Sequence, residues 1–248
     1  MRIGIDVGST AAKAAALEGD ELACTVVVPT GFNGVDAALR LADELRERGI
    51  DPTSCDASVV ATGYGRVSVP YAAKTVTEIT CHGRGAAYLF GNDGTVIDVG
   101  GQDTKVIQLA GGKVKKFVMN DKCAAGTGKF LEVIADRMGV TQEQLAALAA
   151  AGEPTQISSM CTVFAESEVI SLIGKGEPRE NIANGVIESV IMRVAALAGN
   201  LVAGDVYLTG GLCENAYVID RLSHHLGNSV TTSPHARFAG AIGAALSA

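Results

Sequence analysis

Two stretches of the chain repeat the same order of chemically useful residues. Ile5-Asp6-Val7-Gly8-Ser9-Thr10 is followed by Lys13, and Ile97-Asp98-Val99-Gly100-Gly101-Gln102-Asp103-Thr104 is followed by Lys105, at the same offset from the aspartate. Glycine lets backbone N–H groups approach an anion closely, and a carboxylate beside that anion can hold a hydrated Mg²⁺. We therefore expect a duplicated phosphate-handling unit, whose two turns face each other and bind a nucleoside triphosphate.

The hydrophobic pattern puts each of these turns directly after a buried strand. Apolar runs predict strands over 1–8, 11–17, 22–28, 58–61, 95–99, 104–109, 113–119, 205–209 and 229–232. Helical spacing of apolar residues predicts helices over 35–48, 80–90, 128–138, 141–151, 163–174, 180–203, 215–226 and 236–246. Three strands, a helix, a strand and further helices occur twice, which indicates an α/β protein with two lobes and mixed sheets.

The length of 248 residues allows one large domain or two smaller ones. The repeat favours two related lobes. We predict an N-terminal ATPase lobe over 1–94 and a C-terminal ATPase lobe over 95–248, with a final helix that is able to pack back on the N-terminal lobe.

Composition restricts the possible functions. The hydrophobic share of 48% against 19% charged residues favours well-filled cores, and the net charge of −7 argues against sequence-independent binding of nucleic acid. No stretch approaches the ~20 apolar residues of a membrane-spanning helix, and the amino terminus lacks the pattern of a signal peptide. We expect a cytoplasmic protein that binds neither nucleic acid nor membranes, with cysteines that are free, metal-bound or catalytic.

The order of the two phosphate turns and a later Thr209-Gly210-Gly211 resembles the actin, hexokinase and Hsp70 superfamily of ATPases, whose lobes are ribonuclease-H-like. More specific motifs are similar to the BadF/BadG/BcrA/BcrD family, which includes activators of 2-hydroxyacyl-CoA dehydratases. That resemblance runs essentially end to end and finishes in Gly240-Ala241-Ile242-Gly243-Ala244-Ala245. Its specific motifs are Thr62-Gly63-Tyr64-Gly65-Arg66, Glu78-Ile79-Thr80-Cys81-His82-Gly83, Asn120-Asp121-Lys122-Cys123-Ala124-Ala125-Gly126-Thr127-Gly128 and Cys161-Thr162-Val163-Phe164-Ala165-Glu166-Ser167-Glu168.

The resemblance implies an ATP-driven electron gate. It implies a homodimer that holds one 4Fe-4S cluster through Cys123 and Cys161 of each protomer, accepts an electron from ferredoxin or flavodoxin, and delivers it to a 2-hydroxyacyl-CoA dehydratase or a related double-cluster reductase. Each cysteine precedes a predicted helix, and helix amino termini favour anions. Two alternatives remain for these cysteines, namely burial as small hydrophobic side chains and a symmetric zinc site.

The nucleotide site follows from the same resemblance and from the repeat. Asp6 and Asp98 are assigned to Mg²⁺ through water, and Asp98 or Gln102 to orienting the attacking water; the alternative is that each aspartate only caps its turn. The expected contacts with ATP or ADP are Gly8, Ser9, Thr10, Lys13, Gly100, Gly101, Gln102, Asp103, Gly126, Thr127, Gly128, Lys129, Gly210, Gly211 and Glu214, with Asn215 beside the last of these.

Two other functions compete with this interpretation. A small-molecule kinase of the same fold would use Asp98 as its base, although no separate sugar-binding insert is visible. A non-enzymatic ATP-gated scaffold with structural zinc is the second. Cys24, Cys55, Cys81 and Cys213 receive no role, and Cys213 stands where alanine is more usual in the family.

Overall fold

The computed structural model describes residues 1–158 and 161–248. The strands are β1 (Arg2–Val7), β2 (Ala11–Glu18), β3 (Glu21–Pro29), β4 (Ser58–Thr62), β5 (Lys74–Thr75), β6 (Gly94–Val99), β7 (Thr104–Ala110), β8 (Lys113–Asn120), β9 (Val206–Gly210) and β10 (Val230–Thr231). The helices are α1 (Gly34–Glu47), α2 (Glu78–Phe90), α3 (Gly128–Met138), α4 (Gln142–Ala151), α5 (Thr162–Gly174), α6 (Arg179–Ala198), α7 (Ala216–Leu226) and α8 (Ala239–Ala245).

The strands form two five-stranded sheets with the same order. The first is β3-β2-β1-β4-β5 and the second, written in the corresponding direction, is β8-β7-β6-β9-β10. The first sheet is mixed, because β1 runs antiparallel to β2 and parallel to β4. Asp6 lies near the end of the central strand β1, and Asp98 near the end of the central strand β6. The repeat in the sequence is therefore a repeat of topology, and the prediction of two α/β lobes with mixed sheets is confirmed.

The residues group into two compact units. The first comprises 1–96, 107–116 and 233–248, and the second comprises 97–106 and 117–232. The core of the first unit is formed by β1, β2 and the apolar face of α1, which includes Leu41 and Leu45. In the second unit, α6 contributes eleven buried residues to the core.

The end of the chain belongs to the first unit, where α8 packs on β1 and α2. A Cβ built on Gly4 of β1 would overlap the carbonyl oxygen of Ala241, and one built on Gly243 would overlap that of Cys81. Only glycine lets the backbones approach this closely. The terminal Gly240-Ala241-Ile242-Gly243 segment is thus a packing motif, and burial beneath it raises the pKa of the Cys81 thiol.

The stretch Arg179–Leu201, formed by α6 and the 3₁₀ turn that follows it, has the length and apolar composition of a membrane span. However, 61% of its apolar window is buried inside the protein. Burial of this kind is what a core helix requires, and α6 fills that position in the second unit.

The differences from the sequence prediction are confined to short elements and helix ends. The two-residue strand β5 was not predicted, because two residues show no periodicity. The helix expected over 180–203 ends at Ala198 and continues as a 3₁₀ turn, and the helix expected over 236–246 begins with a 3₁₀ turn at Ala236–Phe238. Helix ends commonly take this tighter form.

Candidate functional site

In the first unit, Asp6 lies in a cradle made by two glycines. Its side chain is buried, and it follows the apolar residues of β1. A Cβ built on Gly63 would lie 2.5 Å from Asp6 Oδ1, and one built on Gly240 would lie 2.5 Å from Asp6 Oδ2 and 3.0 Å from His82 Cε1. Side chains at either glycine would displace the carboxylate. Gly63, His82 and Gly240 belong to three separate sequence motifs, and the structure shows that all three motifs surround Asp6.

The turn after Asp6 is anchored by Thr30. Its hydroxyl donates to the Gly8 carbonyl at 2.7 Å, and its N–H donates to the Thr10 carbonyl at 2.9 Å. Ser9 and Thr10 are exposed at this turn. Lys13 lies opposite Asp6 in the register of β1 and β2, is half-buried, and makes no ion pair within the described residues. The turn therefore presents two hydroxyls and an ammonium group near one carboxylate.

The corresponding residues of the second unit are organised differently. Lys105 is buried, with its Nζ 2.8 Å from Asp103 Oδ1 and 3.3 Å from Asp98 Oδ2. The Thr209 hydroxyl donates to Asp98 Oδ1 at 2.9 Å. Asp98 is thus held at both of its oxygens, from β7 and from β9. Asp103, predicted to contact the nucleotide, lies buried against Lys105.

The second phosphate turn contacts the start of α3. The Gly128 N–H donates to the Gly100 carbonyl at 2.9 Å, and the Lys129 N–H donates to the Gly101 carbonyl at 2.8 Å. The Lys129 ammonium is paired with Glu132 at 2.7 Å. Gln102 is exposed at the turn. Two predicted nucleotide-binding segments are therefore joined by backbone hydrogen bonds.

The Thr209-Gly210-Gly211 turn lies against the same aspartate. Gly210 has a φ of +85°, and a Cβ built on it would lie 2.9 Å from Asp98 Oδ1. The Gly211 N–H donates to the Val99 carbonyl at 3.1 Å. A positive φ together with this close approach requires glycine at position 210.

Beyond this turn, the second unit contains a cavity of about 540 Å³. Its walls are Glu214 and Asn215 just before α7, Tyr217 in the first turn of α7, and the apolar side of α4, including Leu145. The start of α7 is fixed because Asn215 Oδ1 accepts from the Val218 N–H at 3.1 Å. The volume falls within the range of small-ligand pockets, and its mixed lining suits a flat heteroaromatic ring with polar edges.

Cys123 and Cys161 are both exposed free thiols of the second unit. Cys161 is the N-cap residue of α5. Cys123 lies in the loop after β8, and α3 begins only at Gly128 with Thr127 as its N-cap. Because the field of a helix terminus fades within one turn, only Cys161 gains this support for a thiolate. The expectation that both cysteines benefit from a following helix therefore applies to one of them.

Cys123 and Cys161 are the candidate metal ligands of the second unit. Within the described residues, no cluster of three or more His, Cys, Asp or Glu side chains can hold a metal. The two exposed thiols of the second unit are half of the four thiolates that a cubane cluster or a four-cysteine zinc site uses. Of the other cysteines, Cys81 and Cys213 are buried, Cys24 is half-buried and Cys55 is exposed in the first unit.

Several supporting residues were not identified from the sequence. Lys105 was noted for its offset, and Thr209, Asn120 and Glu168 lay inside motifs, but none received a role. The offset of Lys105 from Asp98 was the available signal, because residues across a tight antiparallel turn become neighbours. The contact of Thr209 with Asp98 spans 111 positions and left no local signal.

Comparison with known proteins now defines the family. The BadF/BadG/BcrA/BcrD ATPase family matches residues 3–248. The chain belongs to this ATPase family. It is 44% identical to the (R)-2-hydroxyglutaryl-CoA dehydratase activating ATPase of Acidaminococcus fermentans over 248 residues, which cover 98% of this chain and 95% of that relative.

Solved structures give the same result. Component A of the Acidaminococcus fermentans dehydratase has a TM-score of 0.93 at 43% identity, covering all of this chain and 96% of that one. The activator of the 2-hydroxyisocaproyl-CoA dehydratase from Clostridium difficile with bound ADPNP has a TM-score of 0.92 at 35% identity, covering all of this chain and 93% of that one. A ROK family glucokinase from Streptomyces griseus, at 16% identity and a TM-score of 0.60, shares the fold alone.

Proposed function

We propose that this ATPase is an activator that delivers a low-potential electron to a 2-hydroxyacyl-CoA dehydratase or a related iron–sulfur reductase. The main support is the presence, in one compact unit, of two exposed cysteines and of a phosphate turn that is hydrogen-bonded to the segment following Cys123. The relatives named as dehydratase activators support the choice of acceptor.

The nucleotide is assigned to residues of the second unit as follows. The adenosine occupies the cavity lined by Gly211, Glu214 and Asn215, and the phosphates meet the glycines of the turn at Gly100-Gly101. Gly8, Ser9, Thr10 and Lys13 remain the other predicted phosphate contacts. The ADPNP-bound relative supports nucleotide binding by this fold.

For hydrolysis, Asp98 is the residue that positions the attacking water, with Gln102 beside it. Lys105 and Thr209 fix the Asp98 carboxylate, so that it needs no reorganisation during the reaction. Asp6 and Asp98 are buried carboxylates whose oxygens suit a hydrated Mg²⁺, a hard cation that keeps several of its waters. The absence of side chains at Gly63 and Gly240 leaves the space that the Asp6 carboxylate occupies.

Cys123 and Cys161 of each of two protomers are the proposed ligands of one 4Fe-4S cluster. When bound, such a cluster accepts one electron from ferredoxin or flavodoxin and passes it to the acceptor enzyme. The protein's own contribution is to hold two thiolates per chain in fixed positions. Because Cys123 is five residues from Gly128, a nucleotide-dependent shift of the phosphate turn reaches that thiolate through a short segment.

Cys123→Ser tests the cluster assignment. Under strict exclusion of air, the wild-type protein should contain about four irons and four sulfides per dimer, whereas Cys123→Ser should contain neither and still bind ADP. Cys55→Ser is the matched control, because Cys55 is also an exposed thiol but lies in the first unit; it should keep the iron. Iron retained in Cys123→Ser, or zinc in place of iron in the wild type, would refute the assignment.

A further inference from the structure

The loop that contains Cys123 is held by the side chain of Asn120, the last residue of β8. Asn120 Nδ2 donates to the Cys123 carbonyl at 2.8 Å and to the Ala125 carbonyl at 2.9 Å. Asn120 Oδ1 accepts from the Cys123 N–H at 3.3 Å. One amide group thus binds both backbone polar groups of Cys123, and it spans the loop on either side of the thiol.

Other contacts hold the loop further from Cys123. Asp121, Lys122 and Cys123 are all exposed, so their side chains contribute little packing. Downstream, the hydroxyl of Thr127 donates to the Ala124 carbonyl at 2.7 Å, and the buried Thr104 donates to the Gly126 carbonyl at 2.6 Å. The segment is therefore anchored at Thr104 beside the phosphate turn, and at Asn120 beside the cysteine.

A second side chain makes a hydrogen-bonded contact near Cys161 in the sequence. Glu168, on the second turn of α5, accepts from the Ser158 N–H at 3.1 Å and from the Ser158 hydroxyl at 2.9 Å. Ser158 lies three residues before Cys161 and Glu168 seven residues after it. The contact ties Ser158 to α5, whose N-cap residue is Cys161.

We propose that Asn120 and Glu168 are positioning residues: Asn120 fixes the backbone of Cys123, and Glu168 ties Ser158 to the helix whose N-cap is Cys161. Neither directs a polar group at sulfur in the contacts above, so each acts through the backbone of its loop. The role toward a cluster rests on the proposed function. The local order that Asn120 and Glu168 give to the backbone is independent of the proposed function, because it follows from hydrogen bonds within one chain.

The first measurement uses the cluster-free protein, and hydrogen exchange of backbone amides as the readout. Asn120→Ala should accelerate exchange in peptides containing Cys123 by about five-fold or more, because the N–H loses its acceptor and the loop loses two donors. Exchange at Ser158 should stay unchanged. Glu168→Ala should accelerate exchange at Ser158 and leave exchange in peptides containing Cys123 unchanged. Asp121 is an exposed neighbour in the same loop, and Asp121→Ala should change exchange neither near Cys123 nor at Ser158.

The second measurement uses the anaerobically prepared dimer, and the rate of iron loss to a chelator. Asn120→Ala and Asn120→Asp should both release iron several-fold faster than the wild type, because the carboxylate of aspartate cannot donate to the two carbonyls. Binding of ADP should be retained in both. The signal of the reduced cluster in electron paramagnetic resonance should also change in shape.

The two measurements separate two kinds of failure. A wild-type protein without iron contradicts the proposed function, while the exchange experiment still tests the loop. Unchanged exchange in Asn120→Ala overturns the inference for the loop, whatever the metal content. Faster exchange with an unaltered rate of iron loss shows that the loop is held for another purpose, and overturns the positioning role.

Discussion

Lys13 and Lys105 occupy the same position in the two halves of the repeat, yet their surroundings differ. Lys105 is buried between two carboxylates, whereas Lys13 is half-buried and makes no ion pair within the described ranges. A buried ammonium group is tolerated only when it is paired, and a carboxylate left buried without its partner is strongly unfavourable. The two lysines should therefore differ in what their removal affects.

We expect Lys105→Met to destabilise the protein by about 3–5 kcal/mol, because Asp98 and Asp103 would lose their buried counter-ion. Lys13→Met should leave the free energy of unfolding within about 0.5 kcal/mol of the wild type, but weaken binding of ATP. Urea unfolding followed by circular dichroism, together with calorimetric titration of ATP, measures both effects. Equal stability of the two variants would contradict the structural role of Lys105.

The chemistry of single residues was only partly predictable. Glycine after a buried strand correctly located both tight turns, because glycine is typical of such turns, and phosphate binding there stays a prediction. The burial of Lys105 was not predictable, since lysine is almost never fully buried. The surroundings of Asp6 escaped prediction for another reason: Gly63 and Gly240 reach it from distant parts of the chain.

At the scale of elements, the cavity of the second unit lined by Glu214, Asn215 and Tyr217 depends on how α7 is held against α6. Glu188 of α6 accepts hydrogen bonds from Arg221 and from His225 of α7, the latter at 2.7 Å. Partial burial by itself raises the pKa of Glu188, but these bonds outweigh it and hold that pKa below its ordinary value. The α7 helix also provides Tyr217 to the cavity wall, so this ionic contact supports the proposed adenosine site.

A lowered pKa in the folded state means that ionised Glu188 stabilises the fold. The stabilisation is complete above the ordinary pKa of a glutamate, near 4.3, and is lost as the pH falls through the lower folded value. We expect Glu188→Gln to be less stable than the wild type by about 1–2 kcal/mol at pH 7. The difference should shrink towards zero on acidification below about pH 4.

Thermal unfolding of both proteins between pH 3 and about 7 measures this difference directly. Comparing the variant with the wild type at each pH removes the contributions of the other carboxylates, which both proteins share. A difference that does not depend on pH would mean that the shape of the side chain matters, and not its charge.

Elements were more predictable than their ends. Apolar patterns located every helix of at least seven residues in the described part of the chain, through one buried face in α1 and through more extensive burial in α6 and α8. The start of α3 agrees with the predicted helix over 128–138, which already left Cys123 five residues before that helix. Gly126 and Gly128 both allow a helix to begin, and hydrogen bonds from Gly128 and Lys129 to the phosphate turn decide where it does.

At the scale of the whole molecule, the first unit contains both termini of the chain. Residues 1–96 provide its sheet, and residues 233–248 return to cover β1 with α8. The return depends on glycines at the crossing of α2 and α8, where a Cβ on Gly85 would overlap the carbonyl oxygen of Ala239 and one on Gly243 that of Cys81. The first unit is therefore complete only when the last residues of the chain are in place.

Gly243→Ala tests this dependence with one added methyl group. A rigid backbone carbonyl cannot move aside as a flexible side chain can, so α8 must shift, and we expect a loss of about 1–3 kcal/mol or more in the free energy of unfolding. Gly174→Ala is the matched control in α5, where a built Cβ meets nothing within 4 Å; it should be neutral or stabilise the helix by up to about 1 kcal/mol. The chain contains no tryptophan, so circular dichroism is the appropriate probe. If Gly243→Ala were as stable as Gly174→Ala, the close packing of α8 would not be what secures the end of the chain.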